Sequence, residues 1–263
     1  MRVDLHNHTL LCNHATGTVN EYIQRAIELG IDEYGFACHA PMNYDPKYRM
    51  DITQKSLYEK WILDAKEKYK NEIKVLLAYE VDYLEGYILD EIVNAKVDYL
   101  IGSVHFLKNK NDMWGFDNPE FIGLYQSKDI DTIWSEYFAA IKDMAKTSLF
   151  DIVGHFDLIK VFKFLPKKDI RIIAKDALSE IKKSNMVLEI NTSGFRKPIG
   201  ESYPSIPLLE MAYEMGIDIT FSSDAHSVEH IGFKYDEATS LAKKIGYTKC
   251  ISFENRDRKI VEF

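Results

Sequence analysis

Cysteine is scarce in this 263-residue chain: there are three, Cys12, Cys38 and Cys250, and no CxxC pair. That excludes a disulfide framework and fits a reducing compartment, so a cytoplasmic location is expected. No run of 18 apolar residues occurs, which leaves no candidate for a membrane-spanning helix. The first residues, MRVDLHNHT, hold no apolar stretch of the signal-peptide kind. Positive charge is also short, with 33 Lys and Arg against 41 Asp and Glu and a formal net charge of -8. Such a balance argues against a broad nucleic-acid footprint, which needs clustered Lys and Arg to displace counterions. A small anion held by local positive charge remains compatible with it. No membrane or nucleic-acid partner is expected, and the sequence sets no oligomeric state.

Apolar residues, by contrast, make up 46% of the chain, enough for a large core. The length suits one α/β barrel domain over residues 1–263. Strand-like runs at 2–6, 34–38, 74–80, 98–104, 150–154, 187–191 and 218–223 alternate with helical patterns. The first helix, over 19–29, places Val19, Tyr22, Ile23, Ala26 and Ile27 on one face after Thr18, and Gly30 ends it. Further helices are predicted over 53–70 (Leu57, Trp61, Ala65 and Tyr69 inward), 86–95, 129–146, 169–184, 205–215 and 235–245. In the helix over 169–184, Asp169 is the cap, with Ile173, Ala177 and Ile181 inward. "ELGIDEYGFACH" and "EMGIDITFSSDAH" repeat one sentence of structure: helix end, Gly30 or Gly216, strand, polar ligand. Strict alternation argues for parallel strands in an α/β fold of seven units. The connection over 106–128 stands out as a long structureless loop. Its Trp114, Phe116, Asp117, Pro119, Phe121 and Tyr125 suggest a lid or substrate wall rather than disorder. The tail "ENRDRKIVEF" reads as a solvated terminus with its apolar residues docked.

Histidine placement carries the chemistry. His6, His8, His39, His105, His155 and His226 sit at or just past the ends of apolar runs, and His14 lies in the loop after the first. Glu80 and Asp224 close two such runs in the same way. In His6-x-His8, residues two apart on a strand face the same side, so both imidazoles can grip one ion. Any one of these histidines alone fits a hydrogen-bonded core residue equally well. Their common phase describes several strands delivering ligands to one point at the C-terminal face of a barrel, as a multinuclear metal site requires.

The segments "DLHNHT", "CHAP", "AYEVDY", "GSVHF", "GHFDLIK", "NTSGFRKP" and "SSDAHSVEHIG", with His14, cover residues 4 to 232 in order. In them the chain resembles the PHP (polymerase and histidinol phosphatase) family, and within it the stand-alone histidinol-phosphate phosphatases. The resemblance implies a distorted seven-stranded (β/α)7 barrel with parallel strands, which matches the count of seven units. It implies three divalent transition metal ions, zinc, iron or manganese. His6, His8, Glu80 and Asp224 would hold the first ion; Glu80, His105 and His155 the second; His14, His39 and His226 the third. Asp224 and His226 are the catalytic candidates. The implied reaction is metal-dependent hydrolysis of L-histidinol phosphate to L-histidinol and phosphate in histidine biosynthesis. With seven neutral imidazoles and only two carboxylates, the loaded site would stay positive and favour a phosphate monoester. The alternatives are another PHP phosphoesterase acting on nucleotides or nucleic-acid ends, and a non-catalytic metal-stabilised scaffold; the complete ligand set counts against the scaffold.

For the substrate, Arg196 offers a guanidinium fork matched to phosphate, and Lys160 is the second candidate. Lys197 and Arg49 rank below them. Asn191 and Ser193 could orient Arg196 or a water, or simply form a turn. His230 is read as structural, and Cys12 and Cys38 as small buried apolar residues rather than thiolate ligands.

Overall fold

The computed structural model describes residues 1–109 and 112–263. Lys110 and Asn111, within the 106–128 connection, lie outside the described residues. Along the chain the elements are β1 (Val3–Asp4), α1 (Val19–Glu28), β2 (Glu33–His39), α2 (Lys55–Lys68), β3 (Lys74–Asp82) and α3 (Asp90–Val93). Next come β4 (Tyr99–Ser103), β5 (Phe106–Asn109), β6 (Asp112–Gly115), α4 (Ile130–Lys146), β7 (Ile152–Val153) and α5 (Ile170–Lys183). The chain finishes with β8 (Val187–Asn191), α6 (Ile206–Glu214), β9 (Ile219–Ser222), α7 (Tyr235–Ile245), β10 (Lys249–Glu254) and β11 (Asp257–Glu262).

Seven strands form one sheet in the order β1-β2-β3-β4-β7-β8-β9, and each neighbouring pair is parallel. The sheet curls until its edges meet. Leu5 N–H donates to Phe221 O at 3.0 Å and His8 N–H to Ala225 O at 2.9 Å, closing the seam between β1 and β9. Side chains reinforce this thin ladder: Asp4 accepts from Ser223 N–H at 2.9 Å, from Ser223 Oγ at 2.6 Å and from Asn7 Nδ2 at 3.0 Å. The result is the seven-stranded (β/α) barrel expected from the sequence. Among the described residues no helix is long and apolar enough to cross a membrane.

Local chemistry explains the element ends. Thr18 and Glu21 form a reciprocal capping box at the start of α1, where Glu21 N–H reaches Thr18 Oγ1 and Thr18 N–H reaches Glu21 Oε2. At its end Gly30, with φ of 66°, lets Gly30 N–H bond Ile27 O and Ile31 N–H bond Ala26 O. Gly216 repeats the arrangement after α6, bonding Tyr213 O while Ile217 N–H bonds Ala212 O. Both are Schellman endings, where a left-handed residue frees the chain to enter the next strand, which is why the two phrases share their glycine.

Four expectations need correction. In α2 Ala65 and, just past its end, Tyr69 are buried as expected, but Tyr58 and Ile62 take the other inward positions and Leu57 is 42% exposed. Tyr58 wins the inward position because its hydroxyl finds Phe36 O at 2.9 Å and Ala78 O at 2.8 Å, so a large ring is buried with its polar end satisfied. The helix expected over 86–95 is a single turn, α3. The 106–128 connection is not structureless: β5 and β6 pair as an antiparallel hairpin, and 3-10 turns follow over Pro119–Gln126. Trp114, Phe116 and Tyr125 are buried beneath it. The tail, finally, is half of the β10–β11 hairpin, whose Cys250, Ile251, Phe253 and Val261 pack into the barrel's inner cluster with Val3, Leu76, Tyr99 and Ile219. It sits against Glu33 and Asp98 at the N-terminal ends of strands and so closes the mouth opposite the histidines.

Candidate metal centre

All nine candidate ligands converge at the C-terminal ends of the strands. Glu80, near the end of β3 and 1% exposed, is the centre of the group. Its Oε2 lies 3.3 Å from His6 Nε2, 2.9 Å from His39 Nδ1 and 3.7 Å from His8 Nε2. Its Oε1 lies 3.0 Å from His155 Nε2 and 3.7 Å from His105 Nε2. The two oxygens therefore face two separate sets of imidazoles. Asp224, just past β9, places Oδ1 3.1 Å from His8 Nε2 and 3.5 Å from His226 Nδ1. The His226 ring stacks on His8 with centroids 3.9 Å apart and stands 4.6 Å from the His14 ring, while His14 and His39 are 5.3 Å apart.

These groups fit cations. Donor atoms of His6, His8 and Glu80 lie within 4.8 Å of one another, as do those of Glu80, His105 and His155; His39 and His226 are grouped with His8 rather than with the expected His14, which joins His226 in a separate group. Two donors sharing an ion at ~2.1 Å stand at most about 4.2 Å apart, close to these separations. His6 Nε2, Glu80 Oε2 and His226 Nε2 are buried without a hydrogen-bond partner, a defect that a cation would remove. Imidazole nitrogens and carboxylate oxygens are the donor set that suits zinc, iron or manganese.

Electrostatics follow the crowding. Burial alone would raise Glu80, but His39, His6 and His105 hold it well below the usual carboxylate range. Asp224 is held low in the same way, against burial, by His6, His8 and His226. Against burial, Asp224 and Cys38 lift His8 to about 9, and Asp82 lifts His105 to about 10. Burial and the neighbouring His8 press His226 well below its ordinary value. An ion bound by His8 or His105 would therefore displace protons.

Two carboxylates were missed in the sequence. Glu189 on β8, a strand that carries none of the nine candidates, is 1% exposed and 3.0 Å from His6 Nδ1. Asp82 at the end of β3 accepts from His105 Nδ1 and, at 2.5 Å, from Arg49 Nη1. The signal was present: Glu80-x-Asp82 and Glu189-x-Asn191 have the same two-residue spacing as His6-x-His8. The expected balance of two carboxylates against seven imidazoles thus gains two anions, one of them matched by Arg49.

The remaining candidates divide cleanly. A cavity of about 630 Å³ opens over the centre, lined among others by Arg196, Lys197, His230, Ser193 and Phe121. Arg196 Nη2 donates to Ser223 O at 2.8 Å and Asp224 O at 3.0 Å, while its buried Nη1 has no partner. Ser193 Oγ and Asn191 Nδ2 reach Asp224 Oδ2 at 3.1 and 3.3 Å, so they orient Asp224 rather than Arg196. Lys160 is 1% exposed and is not among the lining residues. Its three donors meet Asp157 at 3.0 Å, Glu201 at 2.8 Å and Ser202 O at 2.8 Å. Arg49 lines the cavity but is held by Asp82 and by Asp45 O at 2.7 Å. Cys12 and Cys38 are fully buried thiols.

Comparison with known proteins agrees with this geometry. The PHP domain family matches residues 4–193. A "Probable histidinol-phosphatase" of Deinococcus radiodurans is 35% identical over 96% of each chain. A "Histidinol-phosphatase" of Bacillus subtilis is 30% identical, covering 89% of this chain and 96% of its own. Among solved structures, a histidinol phosphate phosphatase from Lactococcus lactis, complexed with zinc, L-histidinol and phosphate, superposes with a TM-score of 0.80 at 22% identity, over 98% of each chain.

Proposed function

This chain belongs to the PHP domain family, and from that premise we propose that it is a metal-dependent histidinol-phosphate phosphatase, acting in histidine biosynthesis as one domain over residues 1–263. The observation that carries the reading is the convergence of five imidazoles on Glu80 beneath a cavity containing an unpartnered arginine nitrogen. We assign the metal role to His6, His8, His14, His39, Glu80, His105, His155, Asp224 and His226, with room for three divalent transition metal ions. Bound there, such ions supply Lewis acidity toward phosphoryl oxygens and a water acidic enough to lose its proton near neutral pH.

The chain's own residues do the rest. Arg196 binds the phosphate through Nη1, because Ser223 O and Asp224 O already hold Nη2 and thereby aim the guanidinium. Asn191 and Ser193 fix the Asp224 carboxylate, so that with His226 it faces the reacting phosphorus as the catalytic pair. Phe121, Leu158 and Met113 are apolar residues lining the cavity, against which the organic part of a monoester packs. Lys160 acts on the site at one remove, tying Asp157 to Glu201 and Ser202. The three unpaired cysteines support a cytoplasmic location.

The test is phosphate release by metal-reconstituted protein from L-histidinol phosphate, set against nucleotides and sugar phosphates. Histidinol phosphate should give the highest kcat/KM. A nucleotide preferred over it would replace this reading with the other PHP phosphoesterase activity, and no release from any monoester would leave a scaffold.

A further inference from the structure

We propose that Glu189 is a positioning residue of the metal centre, holding His6 and the His155 backbone in the geometry that lets both imidazoles face Glu80. The inference rests on the metal reading of the site and adds a residue that supplies no ligand atom to it.

Glu189 lies in the middle of β8 and is 1% exposed. Among the described residues, no Lys or Arg comes within salt-bridge distance of it. Its neighbours are instead three hydrogen-bond donors. His6 Nδ1 is 3.0 Å from Oε2, the His155 backbone N–H is 2.5 Å from Oε1, and Asn191 Nδ2 is 2.8 Å from the same oxygen. An ionised carboxylate accepts at both oxygens and donates at neither, so it alone among side chains of this size satisfies all three.

Each contact does something to the centre. A histidine that donates its Nδ1 proton to a carboxylate keeps the lone pair on Nε2 free, and its ring orientation is fixed. For His6 that Nε2 is buried, unpartnered and 3.3 Å from Glu80 Oε2. His155 holds a backbone φ of 23°, in the left-handed region that a residue with a side chain rarely adopts. Its N–H is tied to Glu189 in that conformation, and its Nε2 arrives 3.0 Å from Glu80 Oε1. One carboxylate thus sets a histidine on each side of Glu80, reaching from β8 to residues beyond β1 and β7.

The experiment reads metal binding rather than turnover. Wild type and Glu189→Gln are loaded with zinc and titrated with a competing chelator, and bound metal is measured by elemental analysis. The amide turns an NH2 toward donors, so Glu189→Gln should bind ~10- to 100-fold more weakly, with Glu189→Asp between the two. Thermal unfolding of the metal-free proteins separates positioning from support. Positioning predicts similar metal-free midpoints and a smaller rise on adding zinc, whereas equal zinc affinity with a lower metal-free midpoint overturns the proposal. Should Glu189→Gln not fold, nitrogen NMR of zinc-loaded wild type decides. A His6 ring protonated at Nδ1 and metal-bound at Nε2 supports the proposal, and the opposite tautomer overturns it. Wild type that binds no zinc would fail the metal reading itself, a different result from equal binding by wild type and variant.

Discussion

The two ends of the metal centre are built differently. At the deep end His6 and His155 are almost wholly buried, and His105 side-chain exposure is 12%. Two of these rings are backed by carboxylates, His6 by Glu189 and His105 by Asp82. At the rim His14 is exposed and the His226 side chain is 23% exposed. Their backing is backbone: His14 Nδ1 reaches Cys12 O at 2.8 Å and His226 Nδ1 reaches Asp224 O at 3.1 Å. A carboxylate behind an imidazole raises its basicity and fixes its orientation more firmly than a neutral carbonyl does. One site therefore combines a rigid, anion-backed deep end with a rim that meets solvent, where substrate arrives.

The sharpest way to break this contrast is to remove what spans it. Glu80→Ala should eliminate about two ions per chain, because each oxygen serves a different set of imidazoles, and phosphate release should fall below detection. Elemental analysis beside the activity assay checks both. Retention of full metal content would mean that Glu80 is not the bridge.

Next in size is Arg196. Its replacement by Ala should lower kcat/KM toward histidinol phosphate ~10- to 150-fold, the loss of a charged hydrogen bond worth about 1.5 to 3 kcal/mol. Metal content should be unchanged, and Arg196→Lys should recover only part, since a point charge lacks the fork. Unaltered kinetics in the Ala variant would remove the phosphate clamp from the rim.

A smaller effect separates the ends by affinity. Under graded chelation bound metal should fall in two phases, with about one ion leaving first, and His14→Ala should abolish that early phase while leaving the later one. A single phase would erase the distinction between deep end and rim.

The gentlest probe is pH. In the metal-free protein His8 and His105 lie at about 9 and about 10, above the ordinary 6.5. Their contribution to stability is thus fully present below pH ~6.5 and is lost as pH rises through about 9 to 10. The chelated protein's unfolding midpoint should fall over that window while zinc affinity rises. His226, neutral already, adds no proton release there. Indicator-dye titration should therefore show protons leaving as ions bind His8 and His105.

Much of this was legible in the chain. Seven strand runs, the Schellman glycines and the phase of the histidines follow from periods of 2 and 3.6, which survive without tertiary information. What escaped depends on partners distant in sequence. Glu189 reads as one charge inside "VLEIN", and only the His6 ring from across the barrel gives it meaning. Leu57 and Tyr58 are adjacent apolar residues, so the stripe alone could not decide which faced inward; the carbonyls of Phe36 and Ala78 did. The β5–β6 hairpin was hidden because its strands are four residues each, too short for alternation to register. Lys160 illustrates the reverse error. A lysine beside a ligand motif suggests an anion from outside, yet Asp157 and Glu201, the latter 41 residues further along, already surround it.

The barrel seam has a consequence for the chain as a polymer. His8 and Asp224 are 216 residues apart in sequence and 3.1 Å apart in space, on opposite sides of the junction between the first and last barrel strands. An ion gripped by both would be a cross-link across almost the whole chain, the kind of loop whose closure removes the most conformational freedom from an opened state. The same ion that polarises a phosphate would then act as a reversible fastener, and peeling the barrel apart at its seam would have to wait for that ion to leave.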